Sequence, residues 1–146
     1  MEIKKIITPV DFEKNTNKLV EFALYMANQL SAEIVFCHVF EPFATGDMML
    51  GSPTFVIFEN ERKANAEERM TNLVKDNEAK SLHCSGKVLI GDITDEIVAY
   101  AKDADMIIMG THGAKGLEKI LLDSVAERVL KRANCPCLIM NPYKQD

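Results

Sequence analysis

The run Glu33 to Phe40, Glu-Ile-Val-Phe-Cys-His-Val-Phe, is apolar at nearly every position rather than at every second one. A strand of that kind must be covered on both faces, as in a parallel sheet. Four more short apolar runs accompany it: Lys4 to Val10, Leu82 to Ile90, Asp105 to Met109 and Cys137 to Met140. Between them the period changes to that of helices. A first helix, capped by Asn15 or Thr16, carries Leu19, Phe22, Ala23, Met26, Ala27 and Leu30 on one stripe. A long charged helix is expected over Glu59 to Lys80, with Ala66, Met70, Leu73 and Val74 turned inward. A third helix, capped by Asp92 or Thr94, runs to Lys102, and a short helical turn covers Leu117 to Leu122. A last helix spans Ser124 to Ala133 and is stopped by Pro136. This alternation predicts an α/β fold: a single doubly wound five-stranded parallel sheet with helices on both faces and right-handed crossovers. Pro42 to about Phe58 holds Pro42, Gly46, Gly51 and Pro53 among apolar residues and reads as a long loop: a lid, a partner surface or a mobile segment.

Composition narrows the class of function. With 146 residues, 47% of them apolar and 27% charged, the chain reads as one globular domain spanning 1–146. A net charge of -5 without a basic cluster argues against a nucleic-acid partner. The apolar runs fall far short of the ~18 residues of a membrane helix. Met1-Glu2-Ile3-Lys4-Lys5 leads straight into a strand with no signal-peptide pattern, so a cytoplasmic protein is expected. Cys37, Cys84, Cys135 and Cys137 read as structural thiols. Cys135-Pro136-Cys137 has no second Cys/His pair at zinc-site spacing.

In an open parallel sheet, ligands bind beyond the carboxyl ends of the strands where the strand order reverses. Pro9-Val10-Asp11, Val39-Phe40-Glu41 and Met109-Gly110 converge there. Asp11 could accept hydrogen bonds from a ligand in the crevice; as a structural residue it would cap the following loop or helix. Gly110-Thr111-His112-Gly113 follows a strand, and nine residues later comes Asp123-Ser124-Val125, which opens a helix. Glycines let the backbone approach a ligand closely, and helix N-terminal N–H groups point at anions. Gly110 and Gly113 either lie beside a ligand or only shape the loop, and His112 is a loop residue or a phosphate donor. Ser124-Val125-Ala126-Glu127 is also a capping box, a structural role that does not exclude a phosphate.

These residues resemble the universal stress protein family over essentially the whole chain. Thr8-Pro9-Val10-Asp11 is similar to that family's opening and His38-Val39-Phe40 to the end of its second strand. Met109 to Gly113, Ser124 to Leu130 and Cys135 to Ile139 are similar to its C-terminal signature. The resemblance implies strand order 3-2-1-4-5, an adenine-nucleotide alpha-hydrolase-like fold and a homodimer. It implies adenine and ribose contacts from Pro9, Val10, Asp11 and Val39, and phosphate contacts from Met109, Gly110, Gly113, Ser124 and Val125. The family's ATP-binding members place a third glycine where this chain has Asp123. A carboxylate ~4 Å from a phosphate repels it by about 1 kcal/mol in water and about 4 near a protein surface. Asp123 could instead face solvent, hold Mg²⁺ against the phosphates, or be offset by Lys115 and Lys119.

No catalytic constellation and no P-loop emerges, so slow ATP hydrolysis is the most that is expected of the chain as an enzyme. The reading is a dimeric, cytoplasmic stress-response protein that binds ATP or another adenine nucleotide, AMP or ADP, with triphosphate affinity weakened by Asp123. The alternative is a dimeric interaction module that binds no nucleotide. The last strand, Cys137 to Met140, would be an apolar sheet edge, and antiparallel pairing across a two-fold axis would cover it.

Overall fold

The computed structural model describes residues 1–43, 51–111 and 124–141. Among these residues five strands and four helices alternate: β1 (Lys5–Pro9), α1 (Thr16–Leu30), β2 (Glu33–Phe40), α2 (Pro53–Asn77), β3 (Cys84–Ile90), α3 (Ile93–Tyr100), β4 (Met106–Gly110), α4 (Val125–Arg132) and β5 (Cys137–Met140). Short 3-10 turns extend α2 and α3 over Glu78–Lys80 and Ala101–Asp103. The sheet is parallel, in the order β3-β2-β1-β4-β5, as expected.

Side chains alternate across the strands and divide the interior in two. Ile6, Ile34, Phe36, Ile108 and Met140 pack against α1 and α2, with Leu19, Ala23, Ala27 and Met70. Ile7, Val35, Cys37, Ile107 and Met109 pack against α3 and α4, with Ile97, Ala126 and Val129. Full burial of one such aliphatic side chain contributes about 1.5–3 kcal/mol, so both layers stabilise the sheet between them. The near-continuous apolar run of β2 is thereby explained: each consecutive residue faces a different core.

Local chemistry sets the boundaries. Asp105 accepts from the N–H groups of Lys4 and Lys5, both at 2.9 Å, and donates its own N–H to the Lys5 carbonyl. That clamp fixes where β4 enters beside β1. Asp92, not Thr94, caps α3, accepting from the Asp95 N–H at 3.0 Å. Neither Asn15 nor Thr16 caps α1 through its side chain; the Thr16 hydroxyl is used elsewhere, as described below.

The long loop is shorter than expected at its far end. Ser52 caps α2 by accepting from the Phe55 N–H at 3.1 Å, and Pro53 opens the helix. A cap followed by proline at the first helical position is a strong start signal, whereas the sequence reading took Gly51 and Pro53 together as loop punctuation. The six extra residues carry Val56, Ile57 and Phe58, which are 47%, 58% and 48% exposed. Phe43 lies against Phe55 and Phe58, with ring centroids 5.8 and 5.9 Å apart. The Arg62 guanidinium sits between the Phe40 and Phe43 rings, at 4.7 and 4.4 Å, and pairs with Glu59 at 2.6 Å.

Two glycines are dictated by their surroundings. Gly91, which turns the chain out of β3, has φ +145, and a Cβ there would stand 2.6 Å from Glu96 Oε1. Gly86 on β3 lies under α2, where a Cβ would meet Met70 Sδ at 2.5 Å and Val74 Cγ2 at 2.7 Å. The helix can therefore settle onto β3 only over a residue with no side chain. Among the described residues no helix is long and apolar enough to cross a membrane. We expect Gly86→Ala to lower unfolding free energy by about 1–3 kcal/mol, the range for overpacking a tight interface, measured by urea denaturation with an unchanged m-value.

Candidate functional site

β1 lies between β2 and β4, so the chain leaves the sheet in opposite directions on either side of it, and a crevice opens at the strands' carboxyl ends. The predicted residues Pro9, Val10, Asp11, Val39, Met109 and Gly110 all lie at that end. The ladder extends past the strands themselves: the Val10 N–H donates to the Cys37 carbonyl at 2.7 Å, and the Thr111 N–H to the Met140 carbonyl at 2.9 Å. Val10, Val39 and Met109 are buried, their side chains spent on the two cores. What they offer a ligand is backbone and shape. Pro9, Asp11 and Gly110 remain partly exposed.

Asp11 plays the structural part that its position suggested. Its Oδ1 accepts from the Glu13 N–H at 2.9 Å and the Thr16 hydroxyl at 3.1 Å, tying the end of β1 to the first turn of α1. Its second oxygen has no partner among the described residues. The next residue, Phe12, has φ 61, a left-handed conformation that is costly for a bulky side chain. Such strain persists only where the surroundings over-determine it. Here the Phe12 ring lies 4.6 Å from the His38 ring, with the Arg69 guanidinium 5.9 Å from its centroid. His38 Nδ1 is 2.8 Å from the Val10 carbonyl oxygen. A carbonyl can only accept, so Nδ1 is the protonated nitrogen and donates. Phe12, Thr16 and His38 thus support the β1 end of the crevice. Sequence reading placed none of them there, because the left-handed turn at a phenylalanine has no signature in residue type.

The other wall is the start of α4. Ser124 adopts extended backbone (φ -65, ψ 163) and accepts from the Glu127 N–H at 3.1 Å, the expected cap. α4 returns antiparallel to the strands, so Ser124 and Val125 stand at the crevice end of the sheet. The first N–H groups of a helix have no intrahelical acceptor and carry the positive end of its dipole. Glu127 also pairs with Lys131 at 3.0 Å. His112, Gly113, Lys115, Lys119 and Asp123 lie outside the described residues, as does the turn expected over Leu117 to Leu122.

Beneath the crevice, burial pushes the Cys37 thiol up to about 12. At neutral pH it is a small apolar residue of the core. All four cysteines are free thiols. Among the described residues no group of three or more His, Cys, Asp or Glu could hold a metal ion. A separate cavity of about 320 Å³ opens on the α1 and α2 side of Phe12, between Thr16 and Arg69; none of the predicted crevice residues lines it.

The turn chemistry makes a prediction that needs no ligand. Asp11→Ala should cost about 0.5–2 kcal/mol, the usual range for losing a side-chain cap of backbone N–H groups, and Asp11→Asn should cost less. Thermal unfolding of the two variants side by side checks it.

The profile of the Universal stress protein family matches residues 2–141. The chain is 33% identical over 150 residues to universal stress protein MJ0531 of Methanocaldococcus jannaschii, covering 98% of this chain and 85% of that protein. Its fold superposes on protein MJ0577 from the same organism with a TM-score of 0.81 at 28% identity, covering 97% of each chain. It superposes on universal stress protein UspA from Lactobacillus plantarum with a TM-score of 0.83 at 19% identity, over 97% of this chain and 99% of the other. Two more distant neighbours of this fold, each with a TM-score of 0.64, were solved as complexes. One is a universal stress protein with cAMP, 17% identical over 97% of this chain and 99% of that one. The other is from Archaeoglobus fulgidus with dAMP, 22% identical over 95% of this chain and 98% of that one. From the match along its length, and from a relative 33% identical over nearly all of it, this chain belongs to the universal stress protein family.

Proposed function

We propose that this protein binds an adenine nucleotide in the crevice as the ligand of a dimeric, cytoplasmic stress-response protein. The observation that carries the reading is a pairing at one end of the sheet. Asp11 offers a carboxylate oxygen with no other partner among the described residues, and the N-terminus of α4 at Ser124 and Val125 offers N–H groups to an anion. Asp11 would accept from the adenine amino group or the ribose, beside Pro9, Val10 and Val39. Met109, Gly110, His112, Gly113, Ser124 and Val125 would line the phosphate end. The fold neighbours solved with cAMP and dAMP support an adenine nucleotide with one phosphate.

Asp123 takes the place of the third motif glycine, at the expected phosphate end, so the order of affinity is expected to be AMP or ADP above ATP in the absence of Mg²⁺. Mg²⁺ held between Asp123 and the phosphates would restore ATP. Calorimetric titration with ATP, ADP and AMP, with and without Mg²⁺, tests this. Asp123→Gly should tighten Mg²⁺-free ATP by about 1–3 kcal/mol, the scale of removing one misplaced charge. No response to any of the three nucleotides would overturn the proposal.

The competing reading is an interaction module without a nucleotide. It is favoured by the exposed Val56, Ile57 and Phe58 at the start of α2. Adenine nucleotide retained by freshly purified protein, seen by native mass spectrometry, would rule it out.

For the dimer we infer pairing through β5, which hydrogen-bonds only to β4 among the described strands and carries Leu138 and Ile139 on an edge. Edges of that kind invite a second copy. Leu138→Pro should give monomer or aggregate in light scattering, and an unchanged dimer mass would count against this interface.

A further inference from the structure

One side chain holds both neighbours of Asp11. His38 lies near the carboxyl end of β2, and its Nδ1–H donates to the Val10 carbonyl at 2.8 Å. Its ring lies against the Phe12 ring, with centroids 4.6 Å apart and planes inclined at 41°. Val10 comes just before Asp11 and Phe12 just after it. Val10 is also tied to β2 through its N–H, which donates to the Cys37 carbonyl at 2.7 Å. Two residues later the main chain is left-handed, with φ 61 at Phe12.

The two contacts of His38 constrain different parts of this turn. The peptide joining Val10 to Asp11 is planar, so holding its carbonyl oxygen fixes the orientation of the whole unit. The ring contact bears on a backbone conformation that is costly for a bulky residue and persists only while its surroundings hold it. Together they set the direction in which the Asp11 side chain leaves the main chain. Asp11 Oδ1 then accepts from the Glu13 N–H at 2.9 Å and the Thr16 hydroxyl at 3.1 Å. Its second oxygen is the one left for a ligand. Ile34 and Phe36 face α1 and α2, and His38, two residues further along β2, shares their face. The start of α4 belongs to the other face.

The geometry points to His38 as a positioning residue of the crevice: by holding Val10 and Phe12 it aims the second carboxylate oxygen of Asp11. For its ligand this inference rests on the nucleotide reading above, whereas the clamp itself is a property of the free protein.

Two substitutions separate the halves of the clamp. His38→Phe keeps a ring against Phe12 and removes the donor, while His38→Asn keeps a side-chain N–H and removes the ring. Titrated with AMP, His38→Phe should bind about fivefold more weakly than the wild-type chain, the order of one net hydrogen bond, and His38→Asn should recover most of that loss. Asp11→Ala/His38→Phe should be no weaker than Asp11→Ala alone, because His38 acts through the carboxylate; a merely structural role would give additive losses. A second readout needs no ligand. The Glu13 amide bonds Asp11 Oδ1, and its hydrogen exchange, followed by NMR, should quicken about fivefold in His38→Phe and return toward the wild-type rate in His38→Asn. Unchanged Glu13 exchange, or additive losses in the double variant, would overturn the positioning role. A wild-type chain that ignores AMP would sink the nucleotide reading instead, and the Glu13 exchange would still decide whether His38 holds Asp11. Circular dichroism checks that each variant folds, and His38→Leu is the second donor-free variant if His38→Phe does not.

Discussion

In β2, Ile34 and Phe36 face α1 and α2 while Val35 and Cys37 face α3 and α4, and the same division runs through β1 and β4. A strand buried on both faces obliges the chain to lay helices on both, and right-handed crossovers then leave few orders in which the strands can sit. With β1 in the middle, the connections to β2 and β4 must depart to opposite sides. The crevice at the strands' carboxyl ends is a consequence of that burial. The residues around it were placed by packing before any ligand chemistry was asked of them.

That origin explains why the candidate site is a mixture of structural and available groups. Val10, Val39 and Met109 are core residues whose backbones happen to border the crevice. Asp11 spends one oxygen holding the β1–α1 turn and keeps the other. Ser124 caps α4 and, by doing so, fixes the direction in which the helix presents its first N–H groups. A polar group that already has a structural partner is held in one orientation without loss of freedom on binding, which favours affinity. The strained backbone at Phe12, pinned by His38 and Arg69, belongs to the same economy: a local conformational cost held in place by contacts on either side.

The second end of the sheet has a different character. Asp105 binds the N-terminal segment to the start of β4, and Cys135-Pro136-Cys137 leads into β5. A carboxylate and two half-buried thiols stand at that end, where backbone and side-chain bonds join the strands' amino ends. This region lies at the opposite end of the sheet from the crevice.

What the sequence by itself determined was the alternation of the described strands and helices and their parallel arrangement. Those follow from hydrophobic period and from capping residues such as Asp92 and Ser124, which act within a few residues of themselves. The family signature at Thr8 to Asp11 and Met109 to Val125 was legible for the same reason, since motif spacing is local. Only the tertiary structure decided that Asp11 reaches Thr16, that His38 secures Val10, that Phe12 turns left-handed and that Gly86 must be bare beneath Met70. It also moved the start of α2 back to Pro53, with Phe43 and Arg62 stacked against its first turns. Most of these depend on side chains brought together from distant elements, which no period or propensity carries; the Asp11–Thr16 bond and the Ser52–Pro53 helix start are local.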